Sequence, residues 1–273
     1  MKEVNLESWE EFEQTLQGLE IETGPEAEFL YRGQENCCWG LQTTLERNGR
    51  EIMSLKDYHE LCSVVKPQVE SFAGMNWDIL VYPEGIEEWL RENDSFMPQA
   101  FGRPAFQATY SYMLYLRHHG FPSPFIDWTG SPYIAAFFAF RRQSTARVSI
   151  YAYLKRRTPV VTRIGSPDYP YIHILGPYVR THRRHFLQQG RYTICVVRDS
   201  EGEGIWRYAS HQDAYHRGDG EDMLWKFNIP CSERRRVLAM LDNHNISALS
   251  LFESEDALME TMAIREIDLR ERR

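Results

Sequence analysis

The chain has 273 residues, 42% hydrophobic and 13% aromatic, which suffices for a large core without disulfide or metal staples. Its formal charge of −8 argues against a general basic face for DNA or RNA, leaving local patches such as Arg180, His182, Arg183, Arg184 and His185. Cys37, Cys38, Cys62, Cys195 and Cys231 have no zinc-pair spacing, the N-terminus lacks an apolar leader and the longest apolar run, Tyr133 to Phe140, is far short of a bilayer span, so the expectation is a cytoplasmic protein with reduced thiols and no membrane partner.

Ser8 with Glu11 reads as a capping box, and Trp9, Phe12, Leu16 and Leu19 recur at helical spacing behind it. Gly24-Pro25 ends that helix. Ala27 to Tyr31 predicts a short strand that stops at Arg32-Gly33, and residues 34–53 read as irregular. Leu55, Tyr58, Leu61, Val65, Val69 and Phe72 predict a second helical segment, interrupted at Pro67. A short helix is expected around Ile86 to Leu90. Another runs from Ala105 to His119, opened by Pro104 and closed by Gly120 and Pro122.

Phe125 and Ile126 read as an apolar link into Asp127-Trp128-Thr129. Ser131-Pro132 predicts the cap and first turn of a helix reaching about Arg142, apolar nearly all round and therefore buried. Strands are expected at Arg147 to Leu154, Tyr171 to Leu175, Arg191 to Val197 and Met223 to Ile229, with a long polar excursion from Asp199 to Asp222. Two helices close the chain, capped by Ser232 and Ser254, with a strand from Ile246 to Phe252 between them. Early helices and later clustered strands give an α+β class, read as one domain over residues 1–273.

The chain holds no H-E-x-x-H, G-x-S-x-G, Walker A or Rossmann glycine pattern, so metal-assisted hydrolysis, serine hydrolysis, phosphoryl transfer and hydride transfer lack sequence support. Arg32, at a strand end before Gly33, suits phosphate recognition by a fixed guanidinium fork, or a structural ion pair. Gly33 allows close approach of a ligand or of another backbone. His118 and His119 end a helix, and Asp127 is placed to orient one of them for proton transfer, or to satisfy local backbone donors. Thr129 and Ser131 read as helix caps or as an anion cradle. Gln189 enters an apolar strand, as a cleft residue or a turn residue.

Together these motifs resemble the FRG domain family. Tyr31-Arg32-Gly33-Gln34 stands for the Phe-Arg-Gly motif, followed by Trp39, Leu41 and Leu45. His118-His119-Gly120, Pro122, Asp127-Trp128-Thr129, Ser131-Pro132, Ala135 and Phe138-Ala139 match a second block, with Ser123-Pro124 in place of the usual Thr-Arg. Gln188-Gln189-Gly190-Arg191-Tyr192-Thr193 matches a third, so the likeness extends over about residues 27–252. The order of Arg32, Thr129-Gly130-Ser131 and Gln189 is also similar, more distantly, to that of ADP-ribosyltransferases. That likeness implies a split, mixed β-sheet with helices around it, and NAD as a substrate whose ADP-ribose is moved to a protein or nucleic-acid acceptor. It further implies a bacterial toxin or antiviral defence effector, with an antitoxin or neighbouring defence protein as a partner. On this likeness Arg32, Gly33, Gln34, Thr129 and Ser131 bind the cofactor, Arg32, His119, Asp127 and Gln189 form the catalytic set, and no metal is needed. Gln189 stands where the usual catalytic Glu falls, leaving Asp127, Glu35, Glu253 or Glu255 to supply a carboxylate, or making the domain a non-catalytic module for nucleotides or modified macromolecules.

Overall fold

The computed structural model describes residues 1–47, 49, 53–79, 104–143, 146–155, 170–175, 183–198, 206–217 and 222–270. The helix expected around Ile86 to Leu90, and Arg180 and His182 of the basic patch, lie outside the described residues.

The described elements form an α+β fold around one mixed eight-stranded sheet. Strands β1 (Lys2–Asn5), β2 (Phe29–Gln34), β3 (Phe125–Thr129), β4 (Arg147–Lys155), β5 (Tyr171–Leu175), β6 (Gly190–Arg198), β7 (Trp206–Tyr208) and β8 (Asp222–Pro230) follow the spatial order β1-β8-β4-β2-β3-β6-β5, with β7 beside β6. The β1–β8 pair is parallel and the other strand pairs are antiparallel.

Alternation along the strands sorts the side chains by face, as a period of two requires. On β4, Val148, Ile150, Ala152 and Leu154 join the core that also holds Trp9 and Phe12 of α1 (Trp9–Thr23). Tyr151 and Tyr153 point the other way, toward Leu30, Trp128 and Leu224. A third cluster packs α3 (Leu55–Ala73) and α4 (Pro104–His118) on Phe125, Ile194 and Val196. Each fully buried aromatic stabilises the fold by roughly 1.5–3 kcal/mol relative to exposure.

Helix α5 (Pro132–Phe140) is buried along most of its length, as its apolar run requires. Ser131 caps it by accepting from the Ile134 N–H at 3.3 Å. It lies so close to β2 that a Cβ on Gly33 would stand 1.9 Å from the Ala135 carbonyl oxygen. Gly33 is therefore required by the approach of another backbone, one of its two expected uses.

Several elements differ from their sequence expectations. β2 continues through Arg32 and Gly33, because six residues pair with β4. Phe125–Thr129 is an interior strand rather than a link, paired over its whole length with β6. α3 runs straight through Pro67, since the Ser54 cap, the left-handed Gly74 terminus and buried Tyr58 and Cys62 outweigh one lost backbone bond. Residues 34–53 contain a one-turn helix, α2 (Thr44–Arg47). The polar excursion contains β7 and α7 (His211–Arg217).

Past α6 (Arg184–Leu187), β6 and β8, the chain closes with α8 (Arg234–Asn243), α9 (Ala248–Phe252) and α10 (Glu255–Ala263). The segment expected as a strand from Ile246 to Phe252 is helical, because Ser247 and Ser250 form a reciprocal capping box. Ser232 does not cap α8. A 3₁₀ turn, Cys231–Glu233, leads into that helix, and Ser254 caps α10 as expected.

Candidate functional site

The sheet is weakest in its middle. β2 pairs with β4 over six residues but meets β3 at the single pair Tyr31–Thr129. Arg32 stands beside this split, and its Nη1 donates to the backbone carbonyl of Asp127 at 2.8 Å. A side chain thus occupies an acceptor that a longer β2–β3 ladder would have used. The Arg32 Nε is buried and has no hydrogen-bond partner among the described residues.

A cavity of 1060 Å³ opens at the split. Its walls carry six cationic side chains, Arg32, Arg47, Arg117, Arg142, Arg184 and Lys226, against two acidic ones, Glu35 and Asp127. Such a balance inside a chain of net charge −8 concentrates positive potential at this one place. Aromatic surface is interleaved with the charge: Trp39, Trp128, Phe138, Tyr151, Tyr192 and Phe252 also line it.

The cross-strand register builds one wall. Arg32 pairs with Tyr151 on β4, and Tyr151 with Lys226 on β8. The Tyr151 hydroxyl donates to the Trp39 carbonyl at 3.0 Å, which ties the loop after β2 to the sheet. Gln34, on the same face of β2 as Arg32, donates from Nε2 to the Gly40 carbonyl, while its buried Oε1 is unpartnered among the described residues.

The opposite wall is ionic. Arg117, with its side chain only 8% exposed, makes a bidentate pair with the Asp127 carboxylate and donates from Nη1 to Thr44 Oγ1 at 3.0 Å. Burial raises the Asp127 pKa, but Arg117, by charge and hydrogen bonds, and Arg32 override it and hold the carboxyl below its usual range. Burial, partly offset by Asp127 and reinforced by Arg117 and Arg47, brings the Arg32 guanidinium down to about 10, still charged at neutral pH. Burial and Arg117 lower Arg47 in the same way. Beside this group, His118 Nε2 lies 2.9 Å from the Tyr192 hydroxyl, which is 3.1 Å from Nδ1 of buried His185.

The expected site residues divide. Arg32, Gly33, Gln34, Asp127 and Thr129 line the cavity. His119 is exposed in the turn just after α4, with its ring against Tyr115, while His118 is the histidine at the cavity. Both oxygens of Asp127 accept from Arg117, and the charge of His118 also acts on this carboxylate. Thr129 Oγ1 accepts from the Ser131 N–H at 3.1 Å, and Ser131 caps α5, so both hydroxyls perform local capping. Gln189 is exposed, in a left-handed turn at φ 47°, and its carbonyl accepts from the Gly130 N–H at 3.0 Å. Its neighbours Gln188 and Gly190 line the cavity instead.

Of the three alternative acids, Glu35 lines the cavity, 3.7 Å from Arg142 Nε, whereas Glu253 pairs with Arg183 and Glu255 sits in the first turn of α10. Sequence reasoning gave no role to Arg47, Arg117, Tyr151, Tyr192 or Lys226. The position of Arg117 immediately before the His-His pair was the one available signal. Among the described residues, no group of three His, Cys, Asp or Glu side chains is placed to hold a metal ion, and no helix is long and apolar enough to cross a membrane.

Residues 27–147 match the FRG domain family model. The match takes in a little under half of the chain. The matched segment starts just before β2, ends at the first residue of β4, and contributes Arg32, Glu35, Arg47, Arg117, His118 and Asp127 to the cavity. The third motif block, Gln188 to Thr193, lies beyond the matched FRG residues. No curated protein and no solved structure matches the chain.

Proposed function

We propose that the cavity binds a phosphorylated nucleotide, with NAD as the first candidate, and that the chain transfers ADP-ribose to a macromolecular acceptor. The observation that carries this reading is Arg32: a guanidinium fixed on a central strand, charged, and keeping a buried donor unused at a cationic, aromatic cavity. An arginine fork is suited to phosphate oxygens, and the aromatic side chains suit the faces of a base or a nicotinamide ring. The cavity volume accommodates a dinucleotide.

In this reading Arg32 and Gln34 hold the nucleotide, and Lys226 and Tyr151 continue the same wall. Bound NAD would supply a cleavable glycosidic bond to nicotinamide. The carboxylate expected to stabilise positive charge on the sugar is Glu35, since Gln189 is uncharged and turned to solvent, and Asp127 is neutralised by Arg117. His118, backed by Tyr192 and His185, is the cavity group suited to taking a proton from the acceptor. The commitment of Asp127 to Arg117 also favours a second reading, a nucleotide-binding module without turnover.

Purified protein incubated with labelled NAD and a cell extract separates the two. Label transfer and nicotinamide release that depend on Arg32 and Glu35 support the enzyme. Stoichiometric binding lost in Arg32→Ala, without release, supports the module. No binding and no release would remove both.

A further inference from the structure

We infer that Arg32, Arg47 and Arg117 form a subsite for a dianionic phosphate group with three free oxygens, so that the preferred ligand is a nucleotide carrying such a phosphate. The inference rests on the reading that the cavity takes a phosphorylated nucleotide, and it narrows that class from NAD, which has no such phosphate, toward nucleotides that carry one, such as NADP.

The argument begins with what the three guanidiniums already hold. Arg117 spends Nε and Nη2 on the Asp127 carboxylate and Nη1 on Thr44 Oγ1. Arg32 spends Nη1 on the Asp127 carbonyl and leaves Nε unpartnered and buried. Among the described residues, Arg47 donates from Nη2 to the Gln42 carbonyl at 3.1 Å. Glu46, on the same turn as Arg47, is folded back onto the Thr43 N–H and does not line the cavity. Among the described residues Asp127 is the carboxylate that lines the cavity beside these three guanidiniums, and Glu46 acts on Arg47 from outside the lining, which leaves positive charge in excess at this end of the cavity.

Like charges held together cost free energy; burial first, and then the neighbouring arginines, lower Arg32 and Arg47, with Asp127 offsetting part of the effect at both and Glu46 at Arg47. A phosphomonoester carries close to two negative charges at neutral pH and presents three acceptor oxygens on one phosphorus. That matches the local excess and the forked donors. A bridging phosphodiester carries one charge on each phosphorus and presents fewer free oxygens to one point, so it satisfies this end less well. The remaining cavity, walled by Tyr151, Lys226, Phe138 and Phe252, is then left for the base and sugar.

Two ligand pairs isolate the feature. ADP differs from ADP-ribose by an uncapped terminal phosphate, and NADP differs from NAD by one added phosphomonoester. Affinities of the full-length protein for all four, measured by calorimetry at fixed ionic strength, should favour ADP over ADP-ribose and NADP over NAD by about tenfold, which is ~1.4 kcal/mol. Arg47→Gln, at an exposed position, should fold normally and bring both ratios toward one. Equal affinities within each pair, with measurable binding, would overturn the phosphate subsite and leave the nucleotide reading standing. Preference that persists unchanged in Arg47→Gln would also overturn it. Absence of binding by all four would remove the subsite and the nucleotide reading together.

Discussion

Arg32 and Asp127 meet across the split of the sheet in an unusual way: the arginine side chain bonds the aspartate's backbone carbonyl, while the aspartate's own carboxylate is turned to Arg117. Arg32 therefore joins two half-sheets that share a single residue pair, and it does so beside the cavity. Lysine keeps the charge but not the fork. Arg32→Lys should weaken nucleotide binding at least tenfold, and its melting temperature should fall by a few degrees through loss of one charge-assisted bond of about 1.5–3 kcal/mol. Unchanged affinity in that variant would show that the fork is not used.

Gly33 faces α5, and the space for a Cβ does not exist. The added atom would meet the Ala135 carbonyl oxygen at 1.9 Å and the Ala139 nitrogen at 2.7 Å, both backbone atoms of a buried helix. Gly33→Ala must displace α5 from the sheet, so we expect a loss of more than about 3 kcal/mol, or insoluble protein. Thermal unfolding of this variant beside Gly18→Ala, where the added atom meets nothing within 4 Å, checks the expectation.

The sequence carried the α+β class because four apolar strand segments, one of them alternating in part, keep nearly their expected limits: β4, β5, β6 and β8. It misjudged short elements. Five residues from Ala248 to Phe252 are too few for periodicity to separate helix from strand, and Ser247–Ser250 capping decided the outcome. Phe125–Thr129 was obscured by its Asp127, whose charge in an interior strand is tolerated only because Arg117 arrives from α4, 10 residues away in sequence. The arginine at the split was legible from its strand and its glycine. The cationic pole was not, because Arg47 and Arg117 come from separate helices that only the tertiary fold brings together.

Breaking the Arg117–Asp127 pair on one side strands a buried guanidinium. Asp127→Asn should destabilise the protein by about 3 kcal/mol, the low end for a buried pair, since the Asp127 side chain is 43% exposed. The native Asp127 pKa is depressed below 3.8, so the stabilisation it gives is present above about pH 4 and is lost as pH falls through the depressed value. Urea unfolding should therefore show the Asn variant and the parent converging below pH 4. A constant difference down to pH 2 would argue against an ionised Asp127.

His211 should set the stability in a higher pH window. Its ring is fully buried, with Nε2 2.9 Å from Thr193 Oγ1, which also accepts from the Trp128 indole N–H at 2.8 Å. Burial, and then the charge of Arg32, push its pKa from 6.5 down to about 3. Between those values the unfolded chain binds a proton that the folded chain refuses, so stability falls as the pH is lowered below 6.5. At 1.36 kcal/mol per unit, lowering the pH from 7 to 5 costs about 2 kcal/mol. His211→Gln retains an amide that can bond Thr193 and has nothing to titrate, so its urea-unfolding free energy should drop between pH 7 and pH 5 by about 2 kcal/mol less than the parent's. Equal drops in parent and variant would mean that His211 takes up its proton in the folded state, and that the Trp128–Thr193–His211 contact opens to admit it.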